Sequence, residues 1–396
     1  MLNMSRFTNF VVASNVIYVE PGAHSIQMAI NGANPGDILL IKRGVYKEYP
    51  IFVNKSLTII GESCEETIID GEGLANLIIN IVADNVKISN LTIQNTSGGV
   101  YPPAQIGIQI TAVKNVEISD CIIRNCAKNL RLGGSSFSRI LRNRITCALK
   151  YGYGVHLDEN SMYNEIAGNY ISFNDVGIQV ERTATNNTIY HNNFLNNTLD
   201  VGGPASGANN RWHNGYPSGG NYWDENSGED LKSGVQQSED GSDGICDKSF
   251  NNDQYPLMGP IHSFKAGKWG NQEYYVFIST DSEISSFQFN ESSAYLQFAV
   301  NKQSQKGFSR VIIPKSLLWV EEVQLWKIYL NETLCGETNV RENSECTFIY
   351  LTYTQGFWVI KIVGTNAVPE MYMPISLVFV LIVISAALFM LKKWKR

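Results

Sequence analysis

A handful of polar residues in this 396-residue chain fall at matching points of a recurring phrase. Gln109, Arg131, His156 and Gln179 each hold the polar place of a Gly-apolar-polar-apolar strand, with Asn129 standing for the glycine in the second. Two residues past His156 and Gln179 lie Asp158 and Glu181. If the strands stack at roughly 4.8 Å, the four form one solvent-facing column with two carboxylates at its rim on neighbouring coils. Such a wall has two chemical uses. As a ligand-binding surface, Gln109, Arg131, His156 and Gln179 would touch an extended sugar chain. As a catalytic one, Asp158 and Glu181 would serve as acid and base, or nucleophile, of a glycosidase. His156 or Arg131 would then stabilise charge, and in a polysaccharide lyase Arg131 would take the proton. One His-x-Asp and one Glu on a long wetted face make a thin catalytic constellation, so the expectation leans to contact rather than cleavage.

A second group of acidic residues suggests a metal. Asp240-Gly-Ser-Asp243-Gly-Ile-Cys-Asp247 spaces three carboxylates with glycines for tight turns, which suits an oxygen-ligand structural calcium site at Asp240, Asp243 and Asp247. The segment lacks the closing Glu of an EF-hand loop. The competing reading is a turn cluster whose carboxylates accept backbone amides. Seven cysteines, an odd number, show no zinc spacing. Cys121, Cys126 and Cys147 fall at the corners of the repeat and are expected as buried thiols.

These residues are positioned by a repeat running from about Val86 to Val201. Ile118, Ile140, Ile166 and Ile189 anchor successive copies, 22, 26 and 23 residues apart. Each copy holds strands of three to five residues alternating apolar and polar, with Asn, Gly or Ser between them. One copy cannot bury a core alone, and a fixed period in this range marks stacked coils. A corner column of Leu91, Cys121, Asn143, Asn169 and Asn192 predicts an amide ladder along the stack. Asn also tolerates the left-handed backbone of a sharp corner. The reading is an all-β protein whose central part is a right-handed parallel β-helix. Upstream, Ile26, Ala29 and Ile30 have helical spacing, and a short helix there would cover the open first coil.

The run His24-Ser-Ile-Gln-Met-Ala-Ile-Asn-Gly-Ala-Asn-Pro-Gly-Asp37, with Val53-Asn-Lys-Ser-Leu-Thr-Ile-Ile-Gly61 and Thr67-Ile-Ile-Asp-Gly71, resembles the CASH group of carbohydrate-binding and sugar-hydrolase β-helix proteins. The resemblance spans residues 17 to about 260 and includes the NosD family and its archaeal cell-surface relatives. It implies the β-helix fold, and through NosD it implies a periplasmic accessory role connected with copper. The residues speak against copper: His24, His156, His191, His213 and His262 are scattered, with no H-x-H pair.

Beyond the repeat the composition changes twice. Residues 204–262 are aromatic and Asp/Gly-rich, and Trp212, Tyr222 and Trp223 offer large surfaces to close the last coil. Residues 263–367 alternate in seven strand-like runs and predict an immunoglobulin-like β-sandwich. Residues 368–396 hold an apolar run from Pro374 to Leu391, then Lys392-Lys-Trp-Lys-Arg396. That is long enough for one transmembrane helix with its basic tail on the cytoplasmic side, leaving the bulk of the chain extracytoplasmic. The opening segment, residues 1–16, has no apolar run of the kind that heads an export signal. Eight N-x-S/T sequons, at Asn3, Asn54, Asn90, Asn95, Asn186, Asn196, Asn290 and Asn331, fit a glycosylated surface protein. A net charge of -6 with pI near 5.5 argues against nucleic acid as a partner and leaves a cell-surface glycan as the expected one.

Overall fold

The computed structural model describes residues 14–98, 105–204, 209–270, 272–303, 305–336 and 338–368. The apolar run from Pro374 to Leu391, its basic tail and the first thirteen residues lie outside this range. Among the described residues no helix is long and apolar enough to cross a membrane. Two compact units divide the chain, Met1–His262 and Ser263–Arg396.

The first unit is a coil of three parallel sheets. One face stacks Val16–Val19, Ile38–Ile41, Thr58–Gly61, Lys87–Ser89, Glu117–Ser119, Arg139–Leu141, Glu165–Ala167 and Thr188–Tyr190. A second face begins at Gly44–Tyr46 and ends at Tyr222–Trp223. The third stacks Ile51–Val53, Leu77–Ile81, Ile106–Thr111, Lys128–Gly133, Tyr153–Leu157, Val176–Val180 and Leu199–Gly202. After the first pair, Val16–Val19 with Ile38–Ile41, each strand pairs with its counterpart one coil away and not with the next strand in sequence, which is the β-helix the repeat predicts. The anchors align without a slip: Ile59, Ile88, Ile118, Ile140, Ile166 and Ile189 form one buried line. Ile93, Ile123, Ile145, Ile171, Phe194 and Trp223 form another. Burial of each such side chain contributes about 1.5–3 kcal/mol, a gain open to a short strand only when its neighbours cover it.

The corners differ from the sequence reading in two respects. The expected ladder exists: the Asn169 amide oxygen accepts from Asn143 N and Nδ2, and Asn192 and Asn221 continue the chain of bonds. Two further ladders accompany it, Asn164–Asn187–Asn210 and Asn174–Asn197, so each corner of the coil has its own. The left-handed residue is also not the ladder asparagine but the one before it. Asp120, Arg142 and His191 have φ near 55°, as do Phe137, Tyr163 and Phe173 at the other corners. A positive φ turns that side chain outward and the next one inward, so the buried asparagine keeps ordinary backbone geometry. The same rule explains the thiols. Cys121 and Cys126 occupy inward positions and are buried, whereas Cys147 takes the left-handed place and is exposed, contrary to expectation.

Both ends of the coil are closed. At the start, helix Ser25–Gly32 buries Ile26 and Ile30, and the Glu48 carboxylate accepts from the N–H groups of Ile26 and Gln27 at its first turn. At the far end Phe194 stacks on Trp223 with ring centres 4.2 Å apart, and Trp212 packs beside them. Asn221, the last ladder amide, donates its backbone N–H to the Asp253 carboxyl, so the ladder ends on a side chain rather than on a further coil.

The second unit has two antiparallel five-stranded sheets. One orders Ile261–Trp269, Gln272–Thr280, Gly307–Pro314, Cys346–Tyr353 and Thr338–Glu342; the other orders Glu283–Asn290, Tyr295–Lys302, Gly356–Val363, Lys327–Leu330 and Thr333–Leu334. Their alternate residues, Val276, Ile278, Val311 and Ile349 from one and Leu296, Phe298, Ile360 and Ile362 from the other, share one core. The expected seven runs are all strands. Ile261–Trp269, Thr333–Leu334 and Thr338–Glu342 were not anticipated, being edge strands with mixed or polar sequences.

Candidate functional site

The third face holds the residues singled out by their spacing. Gln109 pairs in register with Arg131, Arg131 with His156, and His156 with Gln179; Asn80 extends the row one coil upstream and Gly202 one coil downstream. Alternation in each strand sends the flanking Ile108, Ile110, Leu130, Leu132, Val155, Leu157, Ile178 and Val180 into the core. Gly202 leaves room at the end of the row, since a Cβ there would stand 2.4 Å from the Gln179 amide oxygen.

The row is tied together by the two carboxylates. Asp158 accepts from the Nε and Nη2 of Arg131, and its other oxygen accepts from Glu159 N at 2.8 Å. Glu181 bonds His156 Nε2 at 3.1 Å and accepts from Gln179 Nε2 at 3.2 Å. Each carboxylate thus bridges from its own coil to the coil before it or braces its own strand. His156 departs from the expected solvent-facing position: its side chain is only 6% exposed. It lies under Glu181 and edge-on to the Tyr153 ring, with ring centres 5.2 Å apart. Its Nδ1 is buried without a hydrogen-bond partner among the described residues.

Burial sets the charge states. It lowers the His156 pKa, with help from the Lys128 ammonium, so the ring is neutral at pH 7 and Nε2–H donates to Glu181. Burial alone would raise Asp158, but the Glu159 N–H and the Arg131 guanidinium outweigh it and hold the carboxyl below its usual range. Lys128 is lowered by its own burial and by Arg131, and its ammonium lies 5.5 Å from the centre of the Tyr153 ring. Lys128 and Tyr153 were missed in the sequence. They face each other across the same two coils as Arg131 and His156, and the matching start of each strand was the available signal.

An ionised, doubly engaged Asp158 is poorly placed to give up a proton, and a guanidinium locked on it is poorly placed to take one. What the strip offers is a firm row of amide, guanidinium and carboxylate groups, half-exposed and pre-ordered along the coil axis.

The acidic segment is arranged by backbone needs. Asp240 is exposed and paired with Lys232, Asp243 accepts from Ile245 N, and Asp247 accepts from the N–H groups of Leu231 and Lys232. Asp230, not singled out before, accepts from Asp243 N and Gly244 N, and burial pushes its pKa up to about 7. Among the described residues no group of three or more His, Cys, Asp or Glu is placed to hold a metal. Each of the three carboxylates meets an amide or an ammonium of its own.

A family model described as "Periplasmic copper-binding protein (NosD)" matches residues 77–228, a stretch that contains the whole row from Asn80 to Gln179. The donors here do not fit copper. His156 serves Glu181, His191 bonds Ser218 O, His213 accepts from Gly215 N, and His262 meets the Tyr170 hydroxyl, each in a separate place. No curated protein matches the chain. Among solved structures, an alginate lyase from Paenibacillus is 15% identical, covering 54% of this chain and 78% of its own, with a TM-score of 0.37. A pectin methylesterase from carrot is 16% identical over 48% of this chain and 65% of its own, with a TM-score of 0.32. A tailspike capsular polysaccharide depolymerase of the Acinetobacter baumannii bacteriophage Fri1 is 9% identical over 89% and 84%, with a TM-score of 0.28. By its stacked parallel coils and the family match, the chain is a right-handed parallel β-helix repeat protein.

Proposed function

We propose that the third face of the β-helix is a glycan-contacting surface of a protein held at the outer side of a membrane, and that it binds without cleaving. The observation that carries this reading is the in-register row Gln109–Arg131–His156–Gln179, braced by Asp158 and Glu181. An extended polysaccharide presents hydroxyls at regular intervals, and a stack of coils presents amides and charges at a regular interval of its own. Pro374–Leu391 is the anchor in this proposal, and the antiparallel sheets of the second unit are an immunoglobulin-like spacer. The engaged state of Asp158 and Arg131 favours binding over hydrolysis or elimination.

Affinity electrophoresis of the full chain through acidic and neutral polysaccharides tests the surface. Retardation without new reducing or unsaturated ends is expected, and Gln109→Ala and Gln179→Ala should each weaken it by about tenfold, the effect of one well-placed polar contact. Equal mobility of wild type in every gel removes the proposal. New chain ends that vanish in Asp158→Asn would replace it with catalysis. For the anchor, the full chain should require detergent for extraction from membranes, whereas extraction by alkaline carbonate alone would remove that part.

A further inference from the structure

The second unit carries a groove that no part of the β-helix reading uses. It lies on one side of the sheet containing Tyr295–Lys302, Gly356–Val363 and Lys327–Leu330. Gln297 stands opposite Lys361 on one flank, and Tyr329 stands opposite it on the other, forming a row across three strands. Their sequence neighbours Leu296, Phe298, Ile360, Ile362 and Ile328 are buried in the core, so the row faces away from it. The hollow above the row measures about 680 Å³ and is completed by Asn331, Glu332, Val359 and Val363. That is within the range of small-ligand sites.

The hollow is built rather than incidental. Asn331 and Glu332 turn the chain with φ of 45° and 69°. The turn is fastened onto the central strand from both sides: Asn331 N donates to Val359 O at 2.9 Å, and Val359 N donates to Asn331 Oδ1 at 2.8 Å. This clamp holds one end wall of the groove. Lys361 is held as well, its ammonium 4.2 Å from the centre of the Tyr295 ring. Yet the polar ends of Gln297, Tyr329, Glu332 and Lys361 make no hydrogen bond to another of the described residues.

We infer that this groove binds a neutral oligosaccharide. The chemistry of the lining selects that class. Gln297 and Tyr329 each offer a donor and an acceptor, Lys361 offers donors and Glu332 acceptors, a set that matches hydroxyls which both give and receive. Lys361 and Glu332 cancel in charge, so nothing in the groove favours an anion. Val359, Val363 and the Tyr329 ring supply apolar surface for the C–H face of a pyranose.

Isothermal titration of the full chain with cellohexaose, laminarihexaose and chitohexaose tests this. At least one should bind, and Tyr329→Ala and Gln297→Ala should weaken it by about tenfold each. Both residues lie on the outward side of the sheet, so the variants should melt with wild type. No heat with any of the three sugars at millimolar concentration overturns the inference. Binding that survives Tyr329→Ala and Gln297→Ala but falls in Gln109→Ala also overturns it, and assigns the sugar to the β-helix face instead.

Discussion

The two units fix their strands in different ways. In the β-helix every strand meets partners roughly one coil away in sequence, and the apolar columns are nearly uniform Ile, Leu and Val. A uniform column does not by itself say which coil position belongs over which. The asparagine ladders do, because a buried amide that slips loses its donors and acceptors at once. In the second unit, Tyr295–Lys302 pairs on one side with its hairpin neighbour Glu283–Asn290 and on the other with Gly356–Val363, more than fifty residues away. Its buried polar atoms are few and local, such as the Tyr353 hydroxyl with Thr280, Ser309 and Ser282. The lesson is that a stack of repeats uses buried polarity for alignment, whereas the sandwich pairs strands far apart in the chain with no such ladder among its described residues.

Removing one rung is the hardest blow to that comparison. Asn169 donates to Ile140 O, Ala167 O and Asn192 Oδ1 and accepts from Asn143 N and Nδ2, all buried. Asn169→Ala strands several of these groups at about 1–3 kcal/mol each, so a loss of roughly 3–6 kcal/mol is expected. Ile360→Val in the sandwich should cost about 1 kcal/mol. Denaturant unfolding of both variants measures the gap. A loss below 1 kcal/mol for Asn169→Ala would show that apolar columns alone align the coils.

Much of the β-helix was legible because Ile118, Ile140, Ile166 and Ile189 repeat with little drift and Asn143, Asn169 and Asn192 recur beside them. The other two ladders escaped notice although Asn164, Asn187 and Asn210 recur at an even spacing of 23 residues. Ser138 and Ala148 interrupt those columns, and a column with gaps reads as loop composition. Of the candidate face, the register of Gln109, Arg131, His156 and Gln179 was legible from strand alternation. The burial of His156 was not, since period two tells which side a residue takes and not what folds over it. Nor can composition distinguish an aspartate that caps backbone amides, as Asp247 does, from one that binds a cation.

The end of the ladder gives a pH-dependent test of intermediate size. Asp253 is buried and accepts from Asn221 N, Trp223 Nε1 and Tyr255 N, and burial pushes its pKa up to about 7 against the pull of those donors. A folded-state pKa above the unfolded value means stability from this group is full below about pH 4 and is lost as pH rises towards 7, at up to about 1.4 kcal/mol per unit. Asp253→Asn keeps the shape, removes the titration and turns one N–H₂ against a donor, costing about 1–3 kcal/mol at pH 5. The gap between wild type and variant should narrow from pH 5 to pH 8. A gap that widens over that range would mean the donors, not burial, govern the carboxyl.

The smallest expected effect sharpens the comparison most, because it asks whether a ladder can be lengthened. Cys121 occupies the rung before Asn143, whose Oδ1 accepts from Cys121 N at 3.0 Å. Its thiol points to Ser119 O and Ile88 O, the counterparts of the Ala167 and Ile140 carbonyls that receive the Asn169 amide. Cys121→Asn therefore finds its acceptors in place, and Asn143 Oδ1 offers a third. Stability should change by less than about 1 kcal/mol, far less than burying an unsatisfied amide would cost. A loss comparable to that of Asn169→Ala would show that the rungs are not interchangeable. Register would then be a property of each coil's own packing rather than of the ladder that passes through it.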